Sequence, residues 1–308
     1  MSDHQHSSTP QPSTSSKPFD FLRLLTPIRR LAGILFIAAL LVGVIGYLVD
    51  LGVLTVARPL QILITGFYAN ISTDLASIVF AILVLDALNE RHAVEQEKRR
   101  LILQMGSPDN TFAREAARQL GAEGWLKDGS ARKAVLMRAN LQQTPLDEAD
   151  LQEAVLHQAN LVEASLIGAK LQRAMLNEAD LHKADLSGAD LTGASVAEAN
   201  LQEARLMGAN LSGAFLFRTN LNAASLRDTI LAGADLSNAN LRGVSSLKVE
   251  QLKQAKSLAG ITLPEGTQLP HDDRWPIALD EWNGRAFINR KGFIVPTSES
   301  GEKTFEAE

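Results

Sequence analysis

Side chains capable of catalysis or metal binding are few and scattered in this sequence. The chain has no cysteine, which excludes disulfides, thiolate catalysis and cysteine-ligated metals. His4 and His6 lie near the N-terminus, and His157 and His182 are far apart in a regular part of the chain. We find no phosphate-binding loop, nucleophile elbow or metal-spaced set of His and carboxylates. The sequence therefore predicts a protein that is not an enzyme, with no catalytic residue, no cofactor and no metal.

Three polar residues interrupt a strongly apolar region: Asn70, Asp74 and Asp86. Polar groups inside a membrane are costly and often functional, so these are candidate membrane polar residues. Both aspartates can lie close to an interface, and Asp86 is followed closely by Arg91. We therefore favour anchoring, with ion conduction or sensing by oligomerised membrane helices as the alternative.

Two apolar runs account for most of the hydrophobicity before residue 90. Residues 31–49 contain no charge and no proline, and a helix of that length spans roughly 28 Å, the thickness of a bilayer core. A cleaved signal peptide is the rival, but its apolar part is shorter and nearer the N-terminus. Residues 67–88 form a weaker second span. We expect a transmembrane hairpin within residues 31–88, preceded by a disordered tail, residues 1–28, rich in Ser, Thr and Pro.

Basic residues flank the hairpin asymmetrically. Only Arg58 lies between the two spans, whereas four basic residues precede the first and four follow the second: Lys17, Arg23, Arg29 and Arg30, then Arg91, Lys98, Arg99 and Arg100. Because positive charge stays on the cytoplasmic side, both termini are expected in the cytoplasm.

Residues 89–129 are expected to form a cytosolic helical stalk and a cap. Good helix formers continue to Gly106. A new helix is expected to begin at residues 107–109, where the Ser107 side chain could cap it, and to end at Gly121. Its apolar face comprises Ala113, Ala116, Ala117 and Leu120, and Trp125 lies in the turn that follows.

From residue 134 the sequence repeats every five residues. Of the 22 central positions between 136 and 241, 21 are Leu and one is Val196. Two residues earlier, 19 of 22 positions are Ala, with the exceptions Thr144, Thr219 and Thr229. A helix would spread these leucines over all its faces, and a flat strand would send half of them into water. The chain must turn once per pentad, which predicts a narrow solenoid with a Leu and Ala interior.

Pentads such as Ala-Asp-Leu-Ser-Gly at 184–188, Ala-Asp-Leu-Thr-Gly at 189–193 and Ala-Asn-Leu-Ser-Gly at 209–213 resemble the pentapeptide-repeat family. The resemblance covers residues 130–246 and implies a right-handed quadrilateral β-helix with four pentads per coil. With the hairpin and stalk, the chain also resembles bacterial membrane proteins that carry such repeats, which implies a multi-pass protein of the bacterial inner membrane. Five and a half coils at about 4.8 Å give a rod about 26 Å long.

Four pentads per coil would stack residues twenty apart. One face then carries an Asn row, expected to form a hydrogen-bonded ladder: Asn140, Asn160, Asp180, Asn200, Asn220 and Asn240. Its neighbour carries an apolar stripe, defined as Val135, Met137, Val155, Met175, Phe215 and Phe217, which Ser195 and Asp235 interrupt. Either the protein's own N-terminal helix or C-terminal segment covers this stripe, or it binds a partner or a second copy. The candidate partner face is Val155, Met175, Phe215 and Phe217.

The charge of the repeats bears on nucleic-acid mimicry. Some soluble members of the family are DNA mimics that inhibit topoisomerases through a strongly acidic rod. Here residues 130–247 hold 10 basic and 13 acidic side chains, so no strongly acidic field is expected. Mimicry remains an alternative, and no nucleic-acid binding is expected.

Residues 247–308 are expected to form a C-terminal cap and tail. Residues 249–259 look helical, and residues 261–266 end that helix. Residues 271–308 contain Trp275, Trp282, Phe287 and Phe293 around Asn283-Gly284, which favours a hairpin in a cap extension; a peptide-binding module is the alternative.

Taken together, these patterns predict a membrane-anchored protein that presents a rigid cytosolic rod. We expect it to act as a scaffold or interaction module without catalysis. Its expected partners are the lipid bilayer and an unidentified protein, with homo-oligomers as a further option.

Overall fold

The computed structural model describes residues 27–54, 56–266 and 268–269, without the side chains of residues 27, 28, 50 and 58–73. The expected disordered tail and the aromatic C-terminal hairpin therefore lie almost entirely outside the described residues. The chain divides into two compact units, residues 1–94 and 95–308. Each unit is considered by itself below.

The first unit contains helix α1 (Pro27–Asp50) and most of helix α2 (Arg58–Met105). Among the described residues, one segment, Arg29–Val49, is long and apolar enough to cross a membrane. It matches the first expected span, and α1 begins four residues before that span. The turn after α1 uses Gly52 at a φ of +71°, a left-handed conformation that glycine adopts without penalty.

The second expected span, residues 67–88, is not confirmed. Its first residues lie in the part of α2 whose side chains are not described. The rest of it, from Asp74 onward, is shorter than the roughly 20 residues that a spanning helix needs. The hairpin therefore remains a proposal.

In the second unit, α2 ends at Met105 as expected, and helix α3 (Asn110–Ala122) follows. The expected cap was wrong: Asp109, rather than Ser107, accepts from the backbone N–H groups of Thr111 and Phe112. The Ser107 hydroxyl instead accepts from the Asp109 N–H, because it lies two residues too early to reach the first turn. The predicted stop was also displaced, since Gly121 lies inside the last turn. The buried face of α3 is confirmed as Ala113, Ala116, Ala117 and Leu120.

The repeats fold as a four-sided solenoid. Each pentad supplies one residue in a parallel bridge to the residue twenty positions later, from Val135 with Val155 up to Ser225 with Ser245. Backbone bonds stack the coils, as when the Leu136 N–H donates to the Val155 carbonyl at 2.8 Å. The periodicity of four pentads per coil is therefore confirmed. No regular strand longer than a single bridge residue forms among the described residues, because the chain turns after every pentad.

The core of the solenoid consists of the central residue and the preceding small residue of each pentad, as expected. The central residues from Leu136 to Leu241 are at most 2% exposed. The three threonines that replace Ala are also buried, and two of them donate to the coil below. Thr219 Oγ1 lies 2.8 Å from the Val196 carbonyl, and Thr229 Oγ1 lies 2.8 Å from the Leu206 carbonyl.

Every corner contains a tight turn closed by a bond such as Ala139 N–H to the Leu136 carbonyl. The third residue of each turn has a φ between 54° and 68°, the sign that type II turns require at this position. Glycine occupies it in pentads such as that of Gly188, but many pentads place another residue there, Ala223 among them.

The prediction of a helix over residues 249–259 is mostly wrong. Helix α4 spans only Val249–Leu252, and the solenoid then continues. Ser257 bridges Asp235 and Thr262 bridges Asn240, a spacing of 22 residues rather than 20. Because two residues are inserted, this last coil does not follow the strict pentad pattern. Leu258, Ile261 and Leu263 nevertheless fill the core. The final described bridge is antiparallel, between Thr262 and Gln268.

Candidate interaction surface

The apolar stripe occupies one face of the solenoid. Parallel bridges align Val135, Val155, Met175, Ser195 and Phe215 in a single stack. Met137 and Phe217 follow this stack in sequence, at the adjoining corner. The stack from Val135 to Phe215 covers four coil steps, or about 19 Å.

The described residues leave most of the stripe exposed to solvent. Val135 is 67% exposed, Met175 46% and Phe215 51%, and Val155 is half-buried. An N-terminal helix was one of the two segments expected to cover the stripe. Helix α3 does not cover it, and its Asn110 side chain instead donates to the carbonyls of Asn140 and Gln142, beyond the corner. The other expected cover, the C-terminal segment, lies outside the described residues.

A polar break separates the stripe into two parts, and its groups are satisfied locally. Ser195 Oγ donates to Asn177 Oδ1 at 2.5 Å, and the Ala197 N–H donates to the same oxygen at 3.2 Å. His157 bonds through Nδ1 to the Asn177 carbonyl at 3.0 Å, which gives this histidine a structural role.

Charged side chains of both signs border the stripe along its corner. Glu178 and Glu198 are exposed one coil apart, and Asp235 lies beyond Phe215 in the stack. Glu178 accepts from Gln158, and Glu198 accepts from Arg218 at 3.4 Å. The Arg218 guanidinium also lies 4.9 Å from the centre of the Phe217 ring, a cation–π distance. The stripe thus has an apolar centre and a border of mixed charge, because Arg138 and Arg218 belong to the same corner stack as Glu178 and Glu198.

The Asn row on the next face forms the expected hydrogen-bonded ladder over the part from Asp180 to Asn240. Asn200 Nδ2 donates to Asp180 Oδ1 at 2.9 Å, and Asn220 Nδ2 donates to Asn200 Oδ1 at 3.1 Å. Each oxygen also accepts from a backbone N–H two residues later, as Asp180 does from His182. These side chains are committed to the rod, which makes this face a suitable control surface.

Charged side chains on the solenoid pair across coils. Lys183 lies 3.6 Å from Glu203, and Arg205 lies 3.5 Å from Asp185.

Asp190 is an exception in that its partners are uncharged. Burial raises the pKa of its carboxyl, but hydrogen bonds from Thr192 and Gln172 outweigh burial and leave that pKa below its usual value.

Sequence reasoning missed a buried carboxylate at Asp150. This residue is 2% exposed, and its Oδ2 accepts from Arg132 Nε at 2.9 Å. Its backbone N–H donates to the Leu126 carbonyl at 2.7 Å, which joins the loop after α3 to the first coil. Asp150 occupies an ordinary Ala-Asp-Leu pentad, so the repeat pattern alone gave no signal of burial.

The same loop is held to α2 by Lys98. Its ammonium donates to Asp128 at 2.8 Å, which raises the pKa of Lys98, and it lies 5.5 Å from the centre of the Trp125 ring. Trp125 packs against the core cluster. The turn that follows α3 is therefore attached to the hydrophobic core through Trp125.

The structure distinguishes the three candidate membrane polar residues. Asp86 is buried and accepts from Arg29 Nε at 2.6 Å, and Arg29 also donates to Glu90. The partner of Asp86 is therefore Arg29 on α1 rather than Arg91, which is closer in sequence. Asp74 is exposed, and the side chain of Asn70 lies outside the described part of α2.

No group of three or more potential metal ligands occurs within the described residues. His157 and His182 lie at different corners of the solenoid. The N-terminal His4 and His6 are outside the described residues.

Comparison with known families identifies the repeated region. Residues 134–173, 149–188, 184–222 and 219–245 match the family described as pentapeptide repeats, in eight copies. The matched residues, 134–245, are a little over a third of the chain. The four-sided stacking of the solenoid agrees with the quadrilateral β-helix that the resemblance implies.

Several solved structures are similar to parts of this chain. QnrB1, a plasmid-mediated fluoroquinolone resistance protein, is 19% identical over 51% of this chain and 84% of its own, with a TM-score of 0.26. Rfr23 from the cyanobacterium Cyanothece 51142 is 36% identical over 32% of this chain and 63% of its own, with a TM-score of 0.16. A pentapeptide repeat protein of the Arabidopsis thaliana thylakoid lumen is 27% identical over 46% and 87%, with a TM-score of 0.17. No curated protein matches this chain.

Proposed function

We propose that this protein is a membrane-anchored scaffold that presents its pentapeptide-repeat solenoid as a rigid protein-binding rod, without catalysis. In this proposal residues 31–49 and 67–88 form a hairpin in a bacterial inner membrane, with both termini in the cytoplasm. The apolar stripe is the binding face, with Val155, Met175, Phe215 and Phe217 as its central contacts.

The exposed apolar stripe is the observation that carries this proposal. A solenoid can bury its leucines inside and leave only polar residues outside, as the Asn row does. Large apolar side chains exposed along one face, on a backbone fixed by coil-to-coil hydrogen bonds, are typical of an interaction surface. The rigid backbone lowers the entropy cost of binding.

Contacts within the first unit support the membrane hairpin. Arg29, at the start of α1, pairs with Asp86 and Glu90 near the end of the apolar part of α2. This pairing requires the two helices to run antiparallel with their basic flanks on the same side. A charged pair at the end of a span is far less costly than one at its centre. Asp74 and Asp86 then serve anchoring rather than conduction.

The charges of the rod favour a protein partner over topoisomerase inhibition by DNA mimicry. Acidic residues such as Glu198, Glu203 and Asp185 each have a basic neighbour within 4 Å. Pairing of this kind cancels the extended negative field that mimicry requires. Gyrase supercoiling is expected to persist at saturating concentrations of the protein.

Site-specific photocrosslinking in membranes of the native host tests the proposal. A photoreactive residue at Met175 or Phe215 is expected to capture one discrete partner protein. The same residue at Asn200, on the adjacent Asn-row face, is the control and is expected to capture none. Equal capture from all three positions, or none from the stripe, would contradict a binding role for this face.

A further inference from the structure

The two corners that flank the apolar stripe differ in charge and in shape. We propose that a second copy of this chain docks on the stripe, so that two solenoids lie side by side and parallel, related by a two-fold axis that runs along the stripe. The inference deepens the proposed function and rests on it, since it names the partner of that binding face.

The turns on either side of the stripe form these two corners. Met175 lies between Arg173, in the turn before it, and Glu178, in the turn after it. Residues twenty apart stack, so each corner continues through the later coils. The Arg173 corner consists of Arg173, Gly193, Gly213 and Gly233, and the Glu178 corner consists of Glu178, Glu198 and Arg218, with Phe217 beside Arg218.

A two-fold axis along the stripe brings unlike corners together. Each residue of the stripe then meets its own copy, so that Met175 packs on Met175 and Phe215 packs on Phe215. The Glu178 corner of one copy faces the Arg173 corner of the other at the same coil. Such an interface is isologous, and every contact away from the axis occurs twice.

Charge is complementary across this interface at the coil of Met175. The side chains of Arg173 and Glu178 are both exposed. Neither has an ion-pair partner among the described residues, and the Glu178 carboxylate accepts from the uncharged Gln158. In the parallel pair Arg173 of each copy faces Glu178 of the other. Two ion pairs therefore form, one on each side of Met175.

Most other charges of the border are paired within the chain. Glu198 lies 3.4 Å from Arg218, and Lys133 lies 3.4 Å from Glu153. Arg138 of one copy would face Lys133 of the other. Because Lys133 and Glu153 together carry no net charge, Arg138 meets a neutral pair there, and this coil neither selects nor opposes the parallel arrangement.

Shape is complementary at the coil of Phe215. Phe217 and Arg218 are exposed at one corner, whereas the opposite corner is Gly213, where a Cβ would have no heavy atom within 4 Å. The parallel pair places the bulky corner of one copy over the bare corner of the other. One coil further, Asp235 would meet its own copy, so the contact ends at Phe215.

An antiparallel pair of solenoids fits less well, because it brings the same corner of both copies together. When Met175 faces itself, Glu178 meets Glu178 and Arg173 meets Arg173. When Met175 faces Phe215, Glu198 meets Glu198. Like charges opposed in this way are repulsive.

The contact is short, since the stack from Val135 to Phe215 extends over about 19 Å. An interface of this length favours only a weak pair in dilute solution. Anchoring of both copies in one membrane raises their local concentration and offsets this weakness. The pair is therefore best tested in a lipid bilayer.

The absence of cysteine allows the pair to be mapped in the purified full-length chain in lipid vesicles. Facing sheets pack about 10 Å apart, which is too far for a disulfide but within reach of a short bis-maleimide crosslinker. Met175→Cys is expected to give a crosslinked dimer. Met207→Cys is the matched control and is expected to give none above background, because Met207 lies at another corner with 44% exposure against 46% for Met175.

Two further cysteine variants distinguish the parallel from the antiparallel pair. Glu178→Cys and Arg173→Cys are each expected to give little dimer alone, because each position faces the other residue in the second copy. A mixture of the two variants, carrying different tags, is expected to give a dimer that contains one of each. Dimer from Glu178→Cys alone, without the mixed product, would overturn the proposed arrangement.

A charge exchange separates the pairing from any folding defect. In the Met175→Cys chain, Glu178→Arg is expected to reduce the crosslinked dimer about ten-fold, because arginines then face each other on both sides of the axis. Adding Arg173→Glu is expected to restore the dimer, because both ion pairs form again with their signs exchanged. Failure of the exchange to restore it, or equal yields from Met175→Cys and Met207→Cys, would overturn the inference.

These outcomes are separate from those of the proposed function. In native membranes, a photoreactive residue at Met175 captures a second copy of this chain if the inference holds. Capture of a different protein, together with no dimer in vesicles, would support the binding face and overturn the second copy as its partner. No capture from the stripe and no dimer in vesicles would contradict both.

Discussion

Asp150 Oδ2 lies 2.9 Å from Arg132 Nε, which links the first coil of the solenoid to the chain that enters it. The other carboxylate oxygen, Oδ1, has no hydrogen-bond partner among the described residues, and Lys170 Nζ is 3.9 Å from Oδ2. Arg132 therefore provides most of the compensation for a carboxylate that is almost fully buried. This pair holds the N-terminal cap against the repeats.

Arg132→Ala is expected to destabilise the protein by about 2 kcal/mol, because it leaves the Asp150 carboxylate buried with a weak partner. The free energy of unfolding from chemical denaturation measures the effect. Lys133→Ala is the control, since Lys133 is the next residue and pairs at 3.4 Å with an exposed Glu153. That surface pair is expected to contribute less than about 0.5 kcal/mol. Equal losses in the two variants would contradict a special role for Asp150.

Ala223→Gly is expected to stabilise the solenoid by about 0.5 kcal/mol. Ala223 has a φ of +57°, where a Cβ costs about 1–2 kcal/mol, and relief of that cost exceeds the added chain entropy of glycine. Ala232→Gly is the matched control, because Ala232 is an exposed turn residue that is not among those with positive φ. It is expected to destabilise by about 0.5–1 kcal/mol. Denaturation midpoints that move in the same direction for both variants would refute this account.

Leu191→Asp is expected to unfold the neighbouring coils. Leu191 is 2% exposed in the Leu and Ala interior, where a carboxylate has no partner and costs several kcal/mol. The melting temperature is expected to fall by about 10 °C or more. Ala232→Asp, at an exposed corner, is expected to change it by no more than about 2 °C. A Leu191→Asp variant that melts with the parent would show that the register of the core is wrong.

The carboxyl of Glu115 in α3 is expected to titrate with a pKa of about 2, below its usual 4.5, because Arg118 and Gln119 donate to it. The lowered pKa means that its contribution to stability is complete above pH 4.5 and is lost as the pH falls toward 2. An NMR titration of the side-chain carboxyl gives the midpoint directly. Arg118→Gln is expected to move the midpoint back toward 4.5, and an unshifted midpoint in the parent protein would contradict the pairing.

Much of the solenoid could be predicted from the sequence because its constraint is local and repeated. A tube closed by four pentads has room for one Leu and one small residue per side, so the period of five, the core residues and the stacking of residues twenty apart all follow. The Asn ladder and the alignment of Val135, Val155, Met175 and Phe215 follow from the same stacking. Helix α3 was also predictable, since its apolar spacing is regular.

Features that depend on irregular or long-range contacts could not be predicted. The solenoid continues through Ser257 and Thr262 because coil-to-coil hydrogen bonds tolerate two inserted residues that a strict repeat count does not. The partner of Asp86 is Arg29, which is distant in sequence and reached only when α1 and α2 pack together.

The sequence by itself determined the repeat, its core and the existence of one long apolar helix, because each depends on the spacing of residue types along the chain. The tertiary structure decided which polar groups are buried and which apolar groups stay exposed. Asp150 and Asp235 are both acidic residues at the same position of their pentads, yet only Asp150 is covered by the preceding loop. Whether such a residue is buried depends on which segment packs against its face of the solenoid. The period of the repeat does not specify that segment.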